Sequence, residues 1–394
     1  MSKRQDLNRS IRCLALRCAL TLLLAGCSNL PATVAAPPVP TSTTETRSST
    51  SEAQNTDPPL TPSVPVATTA PHADWPTTAW STSAPEAQGL DAPKLAEMLA
   101  AIEQRQLDLH SLLIIRNGYL VSETYFGSYQ ADTRHQLYSC TKSFIATLVG
   151  IALDKGYLEG TDQRILDFFP AHQFANLDEQ KSAMTLEDTL TMRTGLAWQE
   201  GDPAYRELFM SADWLKTVLD KPMDSAPGSE FNYCSGCSHV LSAVLHQATD
   251  TNPRDFADQH LFKPLGISNV RWDSDAEGIP VGGWGLQLTP RDMAKLGYLY
   301  LHKGQWDGQQ IVSAQWVEDA TRTHAETGGD LGYGYQWWTY PALEAYTALG
   351  RGGQTIFVVP ELDLIVVTTA QLDDHDEIFN LVRQYILPAV QKAE

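Results

Sequence analysis

The stretch Ser139-Cys140-Thr141-Lys142, continued by Ser143-Phe144-Ile145-Ala146 and an apolar run to Lys155, decides how the rest of the chain is read. Its patterning predicts a helix over 139–155. Residues three apart share a helix face, so the Lys142 amine falls beside the Ser139 hydroxyl. A serine is a weak nucleophile until a base takes its proton, and a partly desolvated lysine with a lowered pKa can contribute to that. The helix N-terminus adds the Ser139 N–H as a donor to a developing oxyanion. Two fixed positions in four residues arise often by chance, so the reading depends on what surrounds them.

Two later segments supply that context. Pro227-Gly228-Ser229-Glu230-Phe231-Asn232-Tyr233-Cys234-Ser235 leads into an apolar helix over 235–248, and Gly350-Arg351-Gly352-Gly353-Gln354 opens the apolar strand 355–359. An SxxK, then a YxS, then a glycine-rich strand opening is the order found in β-lactamases and penicillin-binding proteins, and the chain from about Ala84 onward resembles that family. Leu190 to Leu196, Phe262 to Ile267 and Leu288 to Ala294 resemble it too. The segments around Arg351 and Cys234 are most similar to the 6-aminohexanoate dimer hydrolase branch.

The resemblance implies a serine hydrolase that cleaves a small amide or ester through an acyl-serine, without cofactor or metal. Ser139 would attack the carbonyl. Lys142 and Tyr233 would share the acid and base work, the phenol pKa being lowered by Lys142 and Arg351. The Ser139 and Gln354 N–H groups would form the oxyanion hole, Gly352 and Gly353 would let substrate lie close, and Ser235 would bond substrate or Lys142. Two departures narrow this. Ser235 stands where the family often has asparagine, and Arg351 where it has lysine or histidine. Arginine does not deprotonate but offers a planar fork, which suits a carboxylate-bearing substrate and argues against efficient β-lactam hydrolysis. No glutamate is placed by motif, so Tyr233 must also activate water. The alternatives are a β-lactamase or D-alanyl-D-alanine carboxypeptidase, and a non-catalytic binder of cell-wall peptide.

Outward from these motifs, His110 to Arg116 and Tyr119 to Phe126 flank Asn117-Gly118, a strong hairpin signal. Helix is expected from Glu86 to Arg105, over 185–192, 211–219 and 253–260, and over 291–302 behind Thr289-Pro290. Strands are expected over 333–340, 346–350, 355–359 and 364–370, followed by a helix over 377–390. The fold class is α/β (α+β): an antiparallel sheet built from both chain ends and flanked by helices, with a mainly helical domain inserted. The sheet part is expected at about 79–137 and 285–394, the helical part at about 138–284.

The N-terminus reads differently. Lys3, Arg4, Arg9, Arg12 and Arg17 precede a short apolar run, which predicts an export signal over 1–26. Leu24-Ala25-Gly26-Cys27 resembles a bacterial lipobox, implying lipid on Cys27 as a membrane anchor. Ser28, where an aspartate would suggest inner-membrane retention, implies an outer-membrane lipoprotein of the cell envelope facing the periplasm. Residues 27–78 are poor in aromatics and rich in Pro, Thr and Ser, as expected of a disordered tether, with structure starting near Trp80. A net charge of -19 argues against nucleic acid as a partner. Gly236-Cys237-Ser238-His239 breaks off before a nucleophile elbow at Val240, and Asp373 to Asp376 reads as a solvated loop rather than a metal site. Beyond Cys27, Cys140, Cys234 and Cys237 share an oxidising compartment; a Cys140–Cys234 disulfide and buried thiols are both open.

Overall fold

A computed structural model describes residues 74–391. The expected export signal and the expected lipid site at Cys27 lie outside the described residues, as does nearly all of the expected tether. No helix among the described residues is long and apolar enough to cross a membrane.

The hairpin at Asn117-Gly118 forms as its sequence requires. Asn117 and Gly118 both take positive φ, 51° and 79°, the geometry of a two-residue turn that matches strand twist. It joins β1 (Leu109–Arg116) to β2 (Tyr119–Tyr125). Six further strands come from the other end of the chain: β3 (Ala325–Glu326), β4 (Gly332–Tyr333), β5 (Trp338–Tyr340), β6 (Ala345–Gly350), β7 (Gln354–Val359) and β8 (Leu364–Ala370). They form one antiparallel sheet in the order β2-β1-β8-β7-β6-β5-β4-β3. β1 pairs with β8 as the second and third strands of the sheet, so the N-terminal hairpin joins strands from the C-terminal part of the described residues. The single strand expected over 333–340 is divided at Gly334 to Trp337, where Gln336 has a φ of 58°.

Both sheet faces are covered, which explains the nearly unbroken apolar runs. Leu112, Ile114, Phe357, Leu364 and Val366 face one core with α1 (Ala92–Gln104), whereas Leu113, Ile115, Ile356, Val358, Ile365 and Val367 face the other. This period-2 division gives β1, β7 and β8 two buried sides, each buried large aliphatic being worth about 1.5–3 kcal/mol. The helix predicted over 86–105 is interrupted at Gly89 (φ 69°) and restarts behind Asp91, whose carboxylate accepts from the Lys94 N–H.

The second core holds the helices that carry the site. α2 (Thr141–Asp154) is buried from Thr141 to Ala152 and packs against α4 (Ser235–Thr249). α5 (Pro290–Leu301) crosses β7 and β8, where Gly297 leaves no room for a Cβ beside Ile356 and Ile365. Its Thr289 cap forms as predicted, and Arg291 clasps Glu123 of β2 with two bonds of 2.7 Å. α3 (Asp202–Met210) was not anticipated; its start, Gly201-Asp202-Pro203, resembles a loop more than a cap. A last helix, α6 (Asp376–Leu381), runs into further helical turns ending at Ala389. Packed residues are found somewhat before the expected Trp80. Trp75 meets the rings of Tyr298 and Trp306, and Thr77 accepts a 2.8 Å bond from the Trp306 indole.

One contact ties sheet to site. A Cβ on Gly350, at the end of β6, would lie 2.1 Å from the Leu137 carbonyl oxygen, two residues before Ser139. Gly350→Ala must therefore push that turn away. It should cost about 1–3 kcal/mol of stability in urea unfolding, with the loss of any Ser139-dependent activity exceeding the loss of folded protein.

Candidate active site

The approach to Ser139 is fixed by a small second sheet. His135–Gln136 pairs with Leu286–Leu288, and the Leu137 N–H continues the ladder to the Leu286 carbonyl at 2.9 Å. The chain then turns through Tyr138, a non-glycine residue at φ 47°, into a 3₁₀ turn over Tyr138–Cys140 before α2 begins at Thr141. Ser139 thus sits half-exposed in a tight turn ahead of the α-helix, not within its first turn as the sequence suggested. Such a φ is costly for a side chain with a Cβ and is held here by surrounding contacts. The Leu286 N–H bonds the Thr141 hydroxyl at 3.3 Å, and the Cys140 thiol bonds the Gln354 carbonyl at 3.4 Å.

Lys142 is fully buried yet has three partners. Its Nζ lies 2.9 Å from Ser139 Oγ, 2.9 Å from Ser235 Oγ and 2.8 Å from the Gly283 carbonyl oxygen. Three acceptors match the three donors of an ammonium. Burial nevertheless disfavours its charge, and although Glu200 pulls the other way the pKa falls to about 8. The Gly283 carbonyl is available because its glycine lets the loop lie against α4, where a Cβ would meet the Ser235 carbonyl at 2.6 Å.

Tyr233 joins this cluster at the entrance to α4. Its ring lies 4.8 Å below the Lys142 amine, Trp338 stacks on it at 5.7 Å, and its phenol lies close enough to Ser139 to feel it. The expected lowering of its pKa does not occur. Burial pushes the phenol well up, the nearby Ser139 hydroxyl opposes this only in part, and Glu200 adds a negative charge nearby. Desolvation, not the arginine and lysine invoked from sequence, governs the phenol.

Arg351 stands exposed at the tip of the β6–β7 turn, which Gly352 (φ 84°) and Gly353 (φ 90°) shape. The buried Gln354 side chain braces this turn. It donates to the Arg351 carbonyl at 3.0 Å and the Ala370 carbonyl at 2.8 Å, and accepts from the Ala370 N–H. His375, in the acidic segment read as a solvated loop, donates to the Gly350 carbonyl at 2.9 Å and fastens that segment to the same turn. Ser139 and Arg351 line two cavities at once. One of about 170 Å³ is walled by Tyr205, Phe209 and Trp284; another of about 390 Å³ is walled by Tyr233, Trp338 and Phe379.

Sequence reasoning missed Glu200. Its carboxylate accepts from the Ser235 N–H at 3.0 Å, the Ser235 hydroxyl, the Trp198 indole at 2.6 Å and the Tyr205 hydroxyl. Burial alone would raise its pKa, but the Lys142 charge and the Ser235 and Tyr205 bonds outweigh burial and hold the carboxyl below its ordinary value. Glu200 belongs to no motif, and only tertiary packing brings it to Ser235. The cysteine question also resolves: Cys234 and Cys237 form a disulfide across the first turn of α4, leaving Cys140 as a buried thiol. No group of three or more potential metal ligands occurs among the described residues.

A profile described as Beta-lactamase matches residues 95–391, which include the serine, lysine, tyrosine and glycine-rich turn. The chain belongs to the beta-lactamase family. It is a hydrolase of that family, and it is 26% identical over 312 residues to a 6-aminohexanoate-dimer hydrolase of Paenarthrobacter ureafaciens, covering 72% of this chain and 78% of that one. Among solved structures it resembles a putative 6-aminohexanoate-dimer hydrolase from Bacillus anthracis, with a TM-score of 0.64, 20% identity, and coverage of 74% and 81%. It also resembles a hydrolase with promiscuous acyltransferase activity, with a TM-score of 0.62, 18% identity, and coverage of 76% and 99%.

The environment of Lys142 gives a test independent of catalysis. Its Cε signal in ¹³C-lysine NMR, identified by its loss in Lys142→Arg, should titrate near pH 8. Titration with the exposed lysines, near about 10.4, would show that the amine is not desolvated as described.

Proposed function

We propose that the protein is a serine hydrolase that cleaves small amides or esters through an acyl intermediate on Ser139. The observation that carries this reading is the buried Lys142 amine, 2.9 Å from Ser139 Oγ, whose pKa burial lowers to about 8. Neutral Lys142 takes the Ser139 proton as Oγ bonds to the carbonyl carbon. Tyr233, whose phenol stays protonated, hands its proton to the departing oxygen or nitrogen and regains one from the Lys142 ammonium. The Ser139 and Gln354 N–H groups receive the oxyanion. Water then attacks the ester carbonyl, with Tyr233 and Lys142 moving protons in reverse.

Arg351 supports a substrate carrying a carboxylate near the scissile bond, because its exposed guanidinium borders both cavities. The lipobox at Cys27 supports display of the enzyme on a bacterial envelope membrane, by export to the periplasmic face of the outer membrane. Replacing Cys27 by Ala should leave activity intact and abolish labelling with a fatty-acid probe.

A fluorophosphonate probe should label the wild type, and Ser139→Ala should lose labelling and at least about 10³-fold in turnover while melting normally. Retained turnover would remove the assignment. With p-nitrophenyl esters, kcat/KM should rise with pH through an apparent pKa near 8, because only neutral Lys142 accepts the proton and its fraction grows above that value. A profile flat from about pH 6 to 9 would refute lysine as the base. Faster hydrolysis of a chromogenic cephalosporin than of every ester and amide in the panel would favour a β-lactamase instead.

A further inference from the structure

Glu200 is a half-buried charge that the proposed chemistry leaves unused. Both of its oxygens are occupied: Oε2 accepts from the Ser235 N–H and the Trp198 indole, and Oε1 from the hydroxyls of Ser235 and Tyr205. An ionised carboxylate can only accept, so the single proton of Ser235 is committed to Glu200, and Ser235 Oγ offers Lys142 only a lone pair. The Gly283 carbonyl, on the other side of the amine, also can only accept. A neutral amine has two N–H bonds and one lone pair. With two of its three neighbours unable to donate, the N–H bonds go to Ser235 and Gly283. The lone pair is left facing the third neighbour, Ser139 Oγ.

We propose that Glu200 is a positioning residue which, through the Ser235 hydroxyl, aims the lone pair of neutral Lys142 at the proton of Ser139. This rests on the reading of Ser139 as nucleophile and Lys142 as base. In the step it serves, the Ser139 O–H bond breaks as Oγ bonds to the acyl carbon, and the proton forms an ammonium on Lys142. Glu200 itself keeps its charge and gains no proton.

The other titratable groups around this pair do not substitute for it. They are the Cys140 thiol from the Ser139 turn, the Tyr233 phenol at the entrance to α4, Tyr205 from α3, Tyr333 from β4, and Arg351 from the β6–β7 turn. Burial keeps the thiol and all three phenols in their neutral forms. Glu200 is therefore the source of negative charge in this group, which is why it also favours the ammonium form of Lys142.

Glu200→Gln keeps the shape and changes one acceptor into a donor. The amide oxygen must stay with the Trp198 and Ser235 N–H groups, so its NH₂ turns toward the two hydroxyls, and the Ser235 proton is released toward Lys142. In acylation by p-nitrophenyl esters, the plateau above the acid limb should fall at least about tenfold. The limb itself should move to lower pH, because the charge that favoured the ammonium is gone. A plateau within about twofold of wild type with an unmoved limb overturns the proposal, as does a lower plateau with an unmoved limb. Should Glu200→Gln fail to fold, Ser235→Ala carries the test, since it removes the relay and leaves Glu200 its other partners; an unchanged plateau there is equally fatal. Fluorophosphonate labelling of the wild type separates this failure from the larger one. A labelled wild type with an indifferent Glu200→Gln refutes only the positioning role, whereas an unlabelled wild type refutes the nucleophile.

Discussion

A single amine, removed from water and given three acceptors, is the constraint on which the site depends. Burying Lys142 carries a desolvation cost that only the close approach of Ser139, Ser235 and Gly283 makes tolerable. Each acceptor comes from a different segment: the turn before α2, the start of α4 and the loop before α5. The amine is therefore satisfied only when these segments are docked, so the geometry around Ser139 is coupled to the formation of the helical core. Tyr233 is set by the same docking, because it lies one residue before the disulfide that closes the first turn of α4.

The sheet contributes from the opposite side. β1 and β8 are joined only by folding, yet their pairing sets where β6 and β7 end and hence where Arg351 projects. Gly350 allows that turn to touch the Ser139 segment backbone to backbone, while Gln354 and His375 hold it from within and from outside. The active-site wall is thus a junction between sheet and helices with little freedom to slide.

Much of this was legible in the sequence because it is local. The Asn117-Gly118 hairpin, the Thr289-Pro290 helix start, the alternating strands and the spacing of Ser139 and Lys142 are written in neighbouring residues. What escaped is tertiary. Glu200 has no motif; it gains meaning only from Ser235, brought near by the packing of the loop before α3. The phenol of Tyr233 was expected to ionise readily beside positive charge, but burial dominates over charges a few ångströms away, and burial is not a property of a motif. α3 was overlooked because a glycine, an aspartate and a proline in succession resemble a loop. The disulfide could not be assigned because three thiols in two segments permit several pairings.

The position of Ser139 at the boundary of two recesses bears on how a reaction cycle would finish. If the two recesses hold the two halves of a substrate cleaved through an ester on Ser139, departure of the first product would leave one of them vacant beside that ester. A small molecule entering that vacancy would meet the same carbonyl, whether it were water or an alcohol or amine of suitable shape. The ratio of hydrolysis to transfer would then be a matter of occupancy, governed by which acceptors the surroundings supply.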